Sequence, residues 1–414
     1  MYDLIIIGFG VSGISMAREA EKNKLNYLVI EKQKKLGGCW NNTFNFTSLQ
    51  TDKKFYEFDD FSMPQDYPIY PNKMQILNYL QLSVDQYDIE KNVYYNTKLI
   101  DTQFCNIKKI WSLTLKHQKR SFNLETKFIA ICNGFYNKPN LLKDVNYSNF
   151  LGEIYNINNI NDDMLHKFKN KNIVIVGNGA SSCDFITGIK DTAKHIIVLY
   201  RSDKYYLDKF ILSLSISIFI KNKFLKFAYA IPVSFYIFLF KIVNILFFHN
   251  YLSLPKEKMN HRNLIANTII PKMIEQKKLI YLKDTIVKID KNKVFLKNDI
   301  LFNIDIIVLA LGYKEDYEFL NSEYKYDNRY EQIININIPN CGFIGLSPSY
   351  NWLQTSSKQA KWFIEYMKYK NNNNNLDIFN IDYMKKHIEK YKQKKEDKNL
   401  NYNDLTYEIF EYLV

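Results

Sequence analysis

The stretch Asp3-Leu4-Ile5-Ile6-Ile7-Gly8-Phe9-Gly10-Val11-Ser12-Gly13 is an unbroken apolar run that passes straight into three glycines. Such a run is the pattern of a strand buried on both faces of a parallel sheet. A helical stretch, Ile14 to Lys24, follows, and a second apolar run, Tyr27 to Ile30, ends in Glu31, eighteen residues after Gly13. In this order Gly8 permits the tight turn, Gly10 admits a pyrophosphate close to the backbone, and Gly13 lets the helix lie on the strand. The helix N-terminus, with Ser12 in its first turn, offers N–H groups and positive dipole to phosphate, and Glu31 accepts hydrogen bonds from a ribose hydroxyl. The expectation is a site for a dinucleotide without a 2′-phosphate.

The same unit recurs. Asn172 to Val176 leads into Gly177-Asn178-Gly179-Ala180-Ser181-Ser182, a helical segment, and the apolar run His195 to Tyr200. Arg201 stands at the acidic position, nineteen residues after Ser182, and Ser202 follows it. A guanidinium grips a 2′-phosphate bidentately, so this second nucleotide is expected to be NADPH. Two similar segments flank the second unit: Phe128 to Phe135, with Gly134, and Ile306 to Tyr313, with Gly312. Each is a buried strand that ends in Gly-aromatic, which predicts that the second domain is inserted into the first. The fold expected is α/β, with two Rossmann-like dinucleotide-binding domains of the three-layer ββα type. Residues 1–150 form the first part of the FAD domain and 151–300 the NADPH domain, with an apolar insertion at 209–256. Residues 301–414 return to the FAD domain and add C-terminal helices. Two nucleotide folds of this kind make a flavin enzyme reduced by NADPH.

The chain has 414 residues, 47% of them hydrophobic and 24% charged, which excludes wholesale disorder. Its five cysteines never fall as CxxC, and its six histidines never fall as HxxxH, so neither a disulfide framework nor a metal site is expected. The first residues lack a secretory signal, and a reducing, cytoplasmic setting is the default. The net charge of +13 invites nucleic acid, an anionic membrane or an anionic cofactor as partner. No basic–aromatic interleaving of the nucleic-acid-binding kind occurs, so nucleic acid drops out. From Lys209 to Lys256 the chain has no Asp or Glu, and its apolar runs are interrupted by lysines and Pro232. They are too short to span a bilayer. Two main readings stay open, a lid over a substrate channel and a peripheral anchor in an anionic membrane surface.

Further motifs resemble the flavin-containing monooxygenases, including plant auxin-forming and bacterial members, over nearly the whole chain. Leu36-Gly37-Gly38-Cys39-Trp40 is similar to the family's GGxW, and Tyr67-Pro68-Ile69-Tyr70-Pro71, with Gln75 and Tyr79-Leu80, to its YPxYPxxxQxxxYL. Asn133-Gly134, Tyr200-Arg201-Ser202, Gly345-Leu346 and Gln359-Ala360-Lys361-Trp362 fall where the family has counterparts. The resemblance implies FAD and NADPH as cofactors, dioxygen as co-substrate and a flavin C4a-(hydro)peroxide that oxygenates a small, lipophilic molecule, with N- or S-oxidation favoured. It places Gly38, Trp40 and Gly345 at the cofactors, and Gln50 where many members carry an asparagine beside flavin C4a. Gln50 is therefore the candidate catalytic residue, an amide that donates a hydrogen bond without delivering an acidic proton. Departures are Asn156 where the family has histidine, Leu311 for a threonine, Ala180 for an asparagine and Ser182 for the third glycine. Asn156 and Leu311 keep open an uncoupled NADPH oxidase or reductase, and the basic insertion keeps open a membrane-associated flavoprotein without turnover.

Overall fold

The computed structural model describes residues 1–143, 145–211, 214–215, 264–321, 329–346, 352–372 and 381–398. Nearly all of the apolar insertion expected at 209–256 lies outside the described residues. Along the chain, the strands that matter to the site are β1 (Tyr2–Ile7), β2 (Tyr27–Ile30), β3 (Arg120–Ile131), β4 (Lys138–Pro139), β5 (Glu153–Asn156), β6 (Asn172–Val176), β7 (His195–Leu199), β8 (Ile280–Leu282), β9 (Ile306–Leu309), β10 (Tyr313–Lys314) and β11 (Cys341–Phe343). The main helices are α1 (Val11–Lys22), α2 (Lys73–Gln86), α3 (Ala180–Ile189), α4 (Ile269–Glu275), α5 (Trp352–Asn372) and α6 (Ile381–Lys398).

Two parallel sheets organise the molecule. In the first, the neighbours run β11-β3-β1-β2, all parallel. In the second, they run β8-β7-β6-β9-β5, again all parallel. Both sheets are covered twice, which is why their strands are continuously apolar. Leu4 and Ile6 face α1 and α5 in one core, while Ile5 and Ile7 face an antiparallel meander carrying Leu99, Trp111 and Leu113. The second sheet repeats this. Ile173 and Ile175 pack on α3 and α4, and Val174 and Val176 pack on the meander of Ile286, Val294 and Leu296. This is the three-layer ββα architecture, present twice.

One segment sits elsewhere than its sequence suggested. The strand β9, expected to open the returning part of the first domain, pairs on both sides within the second sheet, Ile306 with Ile173 and with Glu153. Its likeness to Phe128–Phe135 has another cause. β9 holds beside β6 the place that β3 holds beside β1, so the two segments are equivalent members of two repeats. The chain crosses between domains just outside these strands, where β4 and β10 pair antiparallel, Tyr313 against Pro139. Among the described residues, no helix is long and apolar enough to cross a membrane.

Candidate active site between two dinucleotide cradles

Backbone contact, not side chains, shapes the first cradle. Gly8 has φ +102°, and a Cβ there would stand 2.7 Å from the Cys132 carbonyl oxygen. A Cβ on Gly13 would lie 1.9 Å from the Gly8 oxygen, and one on Gly38 2.9 Å from the Gly10 Cα. Gly345 abuts Ser12 so closely that a Cβ would fall 1.8 Å from the Ser12 hydroxyl. Gly8, Gly10, Ser12, Gly13, Gly38 and Gly345 thus form one cluster drawn from three parts of the chain. Helix α1 starts behind Gly10 without a side-chain cap, which leaves its first N–H groups for a ligand.

Glu31 is 4% exposed and closes this cradle from the end of β2. One carboxylate oxygen accepts from the Phe9 N–H at 2.6 Å and the other from the Gln33 N–H at 2.7 Å. Burial pushes its pKa up, and these N–H groups oppose that shift. Glu31 therefore braces the glycine turn. Deeper in, Gln359 is fully buried; its Oε1 accepts from the Gly345 N–H at 2.7 Å, while its Nε2 has no partner among the described residues. Ser357 Oγ and Asn133 Oδ1 are likewise buried without partners. Buried polar atoms left so are costly, and around these glycines they fit a polar nucleotide cofactor.

The second cradle repeats the first with one change. Gly177 has φ +119°, and its Cβ position lies 2.2 Å from the Ala310 oxygen, as Gly8 lies against Cys132. Where Gly13 lets α1 touch the turn, Ser182 donates its hydroxyl to the Gly177 oxygen at 2.8 Å, so a hydrogen bond replaces the bare contact. Gly179 caps α3 without a side chain, and no atom stands within 4 Å of its Cβ position. Ser181, Arg201 and Ser202 are exposed around it. Asn178 ties the turn down, donating to the Ser202 oxygen at 3.0 Å and to the Tyr281 hydroxyl at 2.8 Å. Gly134 and Gly312, at φ +79° and +75°, follow β3 and β9; among the described residues no atom lies within 4 Å of the Gly134 Cβ position, and only the Asn140 amide, at 4.0 Å, approaches that of Gly312.

Cys39 lies within electrostatic reach of Tyr136 and Tyr313, and burial pushes its thiol up to about 11. Tyr136, 51% exposed, stacks on Trp352 at 5.6 Å and meets Tyr313 edge-on at 5.4 Å. Trp40 is 9% exposed, and its indole N–H donates to the Tyr56 hydroxyl at 2.8 Å, so it packs in the first core. Gln50 lies at the inter-domain face, half-buried, with Oε1 accepting from the Ala266 N–H at 3.0 Å. That bond fixes which end of the amide is free to donate.

The structure also brings here Thr47, Ser48, Asp184 and Lys209, which no sequence motif singled out, beside Tyr70 of the YPxYP segment. Thr47 donates to Asp184 at 3.1 Å, Lys209 donates to the Ser48 hydroxyl at 2.5 Å, and the Tyr70 hydroxyl donates to the Lys209 oxygen at 2.6 Å. Burial pushes Asp184 up to about 6, opposed by Thr47 and the Lys209 charge. Burial pushes Lys209 down to about 8, opposed by Asp184. No local pattern marks these positions; only the sheet topology joins them.

Paired glycine cradles on two parallel sheets, with buried polar atoms turned to the first, define a flavoprotein oxidoreductase of the two-dinucleotide class. The chain belongs to the flavin-binding monooxygenase-like family, whose model matches residues 2–413. It is 23% identical over 402 residues to human flavin-containing monooxygenase 1, covering 88% of this chain and 73% of that protein. Among solved structures, Tmm from Pelagibacter superposes with a TM-score of 0.70 at 18% identity, covering 99% of this chain and 85% of that one. OTEMO in complex with FAD and NADP superposes with a TM-score of 0.70 at 14% identity, over 90% of this chain and 86% of that one. The protein is a flavin-dependent monooxygenase.

Proposed function

We propose that this monooxygenase holds FAD in the first cradle and NADPH in the second, and oxygenates a small lipophilic substrate at nitrogen or sulfur. The observation that carries the reading is the opposite charge at two equivalent strand ends, Glu31 beyond β2 and Arg201 beyond β7. When bound, the flavin supplies the redox chemistry, taking a hydride from NADPH and splitting dioxygen between substrate and water. The protein's own residues bind, orient and exclude. The first N–H groups of α1 and α3 hold the two pyrophosphates, Glu31 accepts from the flavin-side ribose, and Arg201 pairs with the 2′-phosphate. Gln359 Nε2, Ser357 and Asn133 reach the flavin cofactor from within the first domain. Tyr136, Tyr313 and Trp352 form an aromatic wall that excludes water and admits an apolar molecule. Gln50 donates an amide N–H to bound oxygen, a donor too weakly acidic to protonate it.

Arg201→Ala tests the nucleotide assignment. The KM for NADPH is expected to rise by roughly 10–100-fold, from loss of a charge-assisted pair, with the KM for NADH within about twofold of wild type. Equal effects on both nucleotides would sink the 2′-phosphate role. Oxygenation is tested by product analysis with tertiary amines and thioethers in 18O2. Label in the product supports the reading. A second reading, an NADPH oxidase, is favoured by Asn156 at the end of β5 and Leu311 after β9, where the family's histidine and threonine are missing. It predicts unlabelled substrate and one hydrogen peroxide per NADPH.

A further inference from the structure

The segment that carries Gln50 belongs by sequence to the first domain, but it also reaches across to the second. Phe44, 5% exposed, packs in the second domain's core against Phe185 at 6.4 Å. The Asn45 N–H donates to Asp162 at 3.1 Å. Beyond that anchor, polar groups hold the tip across the domain face: Thr47 to Asp184, Lys209 to Ser48, and Gln50 to Ala266. Its ties to its own domain are Leu49, 3% exposed in the first core, and two backbone bonds, Leu49 N–H to the Pro71 oxygen and Lys73 N–H to the Thr47 oxygen. Lys209 is also clamped at its own backbone, where its oxygen accepts from Tyr70, and its ammonium lies 5.2 Å from the centre of the Tyr70 ring. A charged donor held this way on a serine two residues before Gln50 fixes where the amide sits.

We propose that Lys209, with Asp184 balancing its charge, is a positioning residue for Gln50, setting the tip 47–50 of the flavin domain in register against the second domain. The consequence rests on the oxygen-site reading of Gln50 given above. An amide displaced by about an ångström, or turned well off line, no longer donates to oxygen, since hydrogen bonds weaken steeply beyond about 3.2 Å and below about 120°. Turnover without substrate then ends early. One NADPH, one proton and one O2 give NADP+ and one H2O2; the two electrons of the hydride reduce dioxygen, and no oxygen atom is transferred. Asp184 matters because a buried ammonium with no counter-charge is costly to keep in place.

Two readouts test this, one of them independent of turnover. In the protein without added NADPH, hydrogen–deuterium exchange is followed in the peptides that contain residues 47–50 and Ala266, whose N–H bonds to Gln50. Lys209→Met is expected to speed exchange in both by at least about tenfold, and Lys209→Arg, which keeps charge and donor, to leave it near wild type. If Lys209→Met fails to fold, Ser48→Ala removes the same bond from the other side. Unchanged exchange in the variant obtained overturns the proposal. In air without substrate, Lys209→Met is expected to release hydrogen peroxide roughly tenfold faster than wild type. The same change in a Gln50→Ala background is expected to add nothing further, because residues acting through one group are not additive. Full additivity of the two changes overturns the proposal even where Gln50→Ala alone is active in releasing peroxide. Peroxide release unchanged in Gln50→Ala instead overturns the oxygen-site reading, and the exchange arm alone then decides whether Lys209 holds the tip.

Discussion

Single residues carry the cradles through what they leave out. At Gly13 a methyl group would meet a backbone oxygen at 1.9 Å, and neither partner is a flexible side chain. Gly13→Ala is expected to cost about 3 kcal/mol and to strip the protein of flavin, read as loss of the yellow absorbance from the folded fraction. Gly179→Ala is the contrast: with open space at its Cβ position, it is expected to change the melting temperature little while raising the KM for NADPH, because the methyl occupies the phosphate's approach. Asp60 shows a charge that holds structure. Arg18, 2% exposed, lies 3.7 Å over the Phe58 ring and donates to Asp60 at 2.6 Å; Lys22 and Tyr87 add bonds at 2.6 and 2.9 Å. Burial raises the Asp60 pKa, but Lys22, Arg18 and Tyr87 outweigh it and hold the carboxyl well below its usual range. A depressed folded pKa gives stability that is present above the unfolded value, roughly pH 4, and is lost as acid carries the pH below it. Asp60→Asn is expected to lower stability at pH 7 by about 1–3 kcal/mol, chiefly by leaving Arg18 buried without its counter-charge. The gap between variant and wild type should close as melting is repeated from pH 5 down to pH 2.

Elements are placed by local signals at their ends. Asn72 and Gln75 form a capping box on α2: the Asn72 side chain accepts from the Gln75 N–H at 3.0 Å, and the Gln75 side chain accepts from the Asn72 N–H at 3.0 Å. Asn72→Ala is expected to cost about 1 kcal/mol in chemical denaturation, typical of a lost N-cap. The uncapped starts of α1 and α3 carry the opposite message. Helices that serve as ligand sites leave their first N–H groups unspent, and both do so directly after a glycine. Ser182 marks the limit of reading such elements by template. It breaks the three-glycine pattern, yet its hydroxyl reaches the very oxygen that a bare glycine would face, and the strand–turn–helix unit survives.

The whole molecule is two copies of one plan joined by the β4–β10 ladder. Each copy has its own pair of cores, so ligand effects should be separable. Saturating FAD, at about a hundred times its dissociation constant, adds about 2.7 kcal/mol to the state that binds it. The flavin domain's melting transition is then expected to rise by roughly 5–10 °C, and Gly13→Ala to abolish the shift.

The sequence by itself determined what rests on neighbours in the chain. Strands buried on both faces, glycine turns, the helix after each turn, and the Glu31 and Arg201 strand ends are all set within about thirty residues of one another. That is why the doubled α/β fold and both glycine turns were legible there. Tertiary structure decided the rest. The pairing of β9 with β6 and β5 depends on backbone hydrogen bonds between segments more than a hundred residues apart, and a buried apolar run carries no label of the sheet it will join. Likewise Lys209 reaches Ser48 across 161 residues and Thr47 reaches Asp184 across 137, so this cluster exists only once distant segments of the chain have folded together. Their polar side chains look like ordinary surface until the two domains bring them into contact.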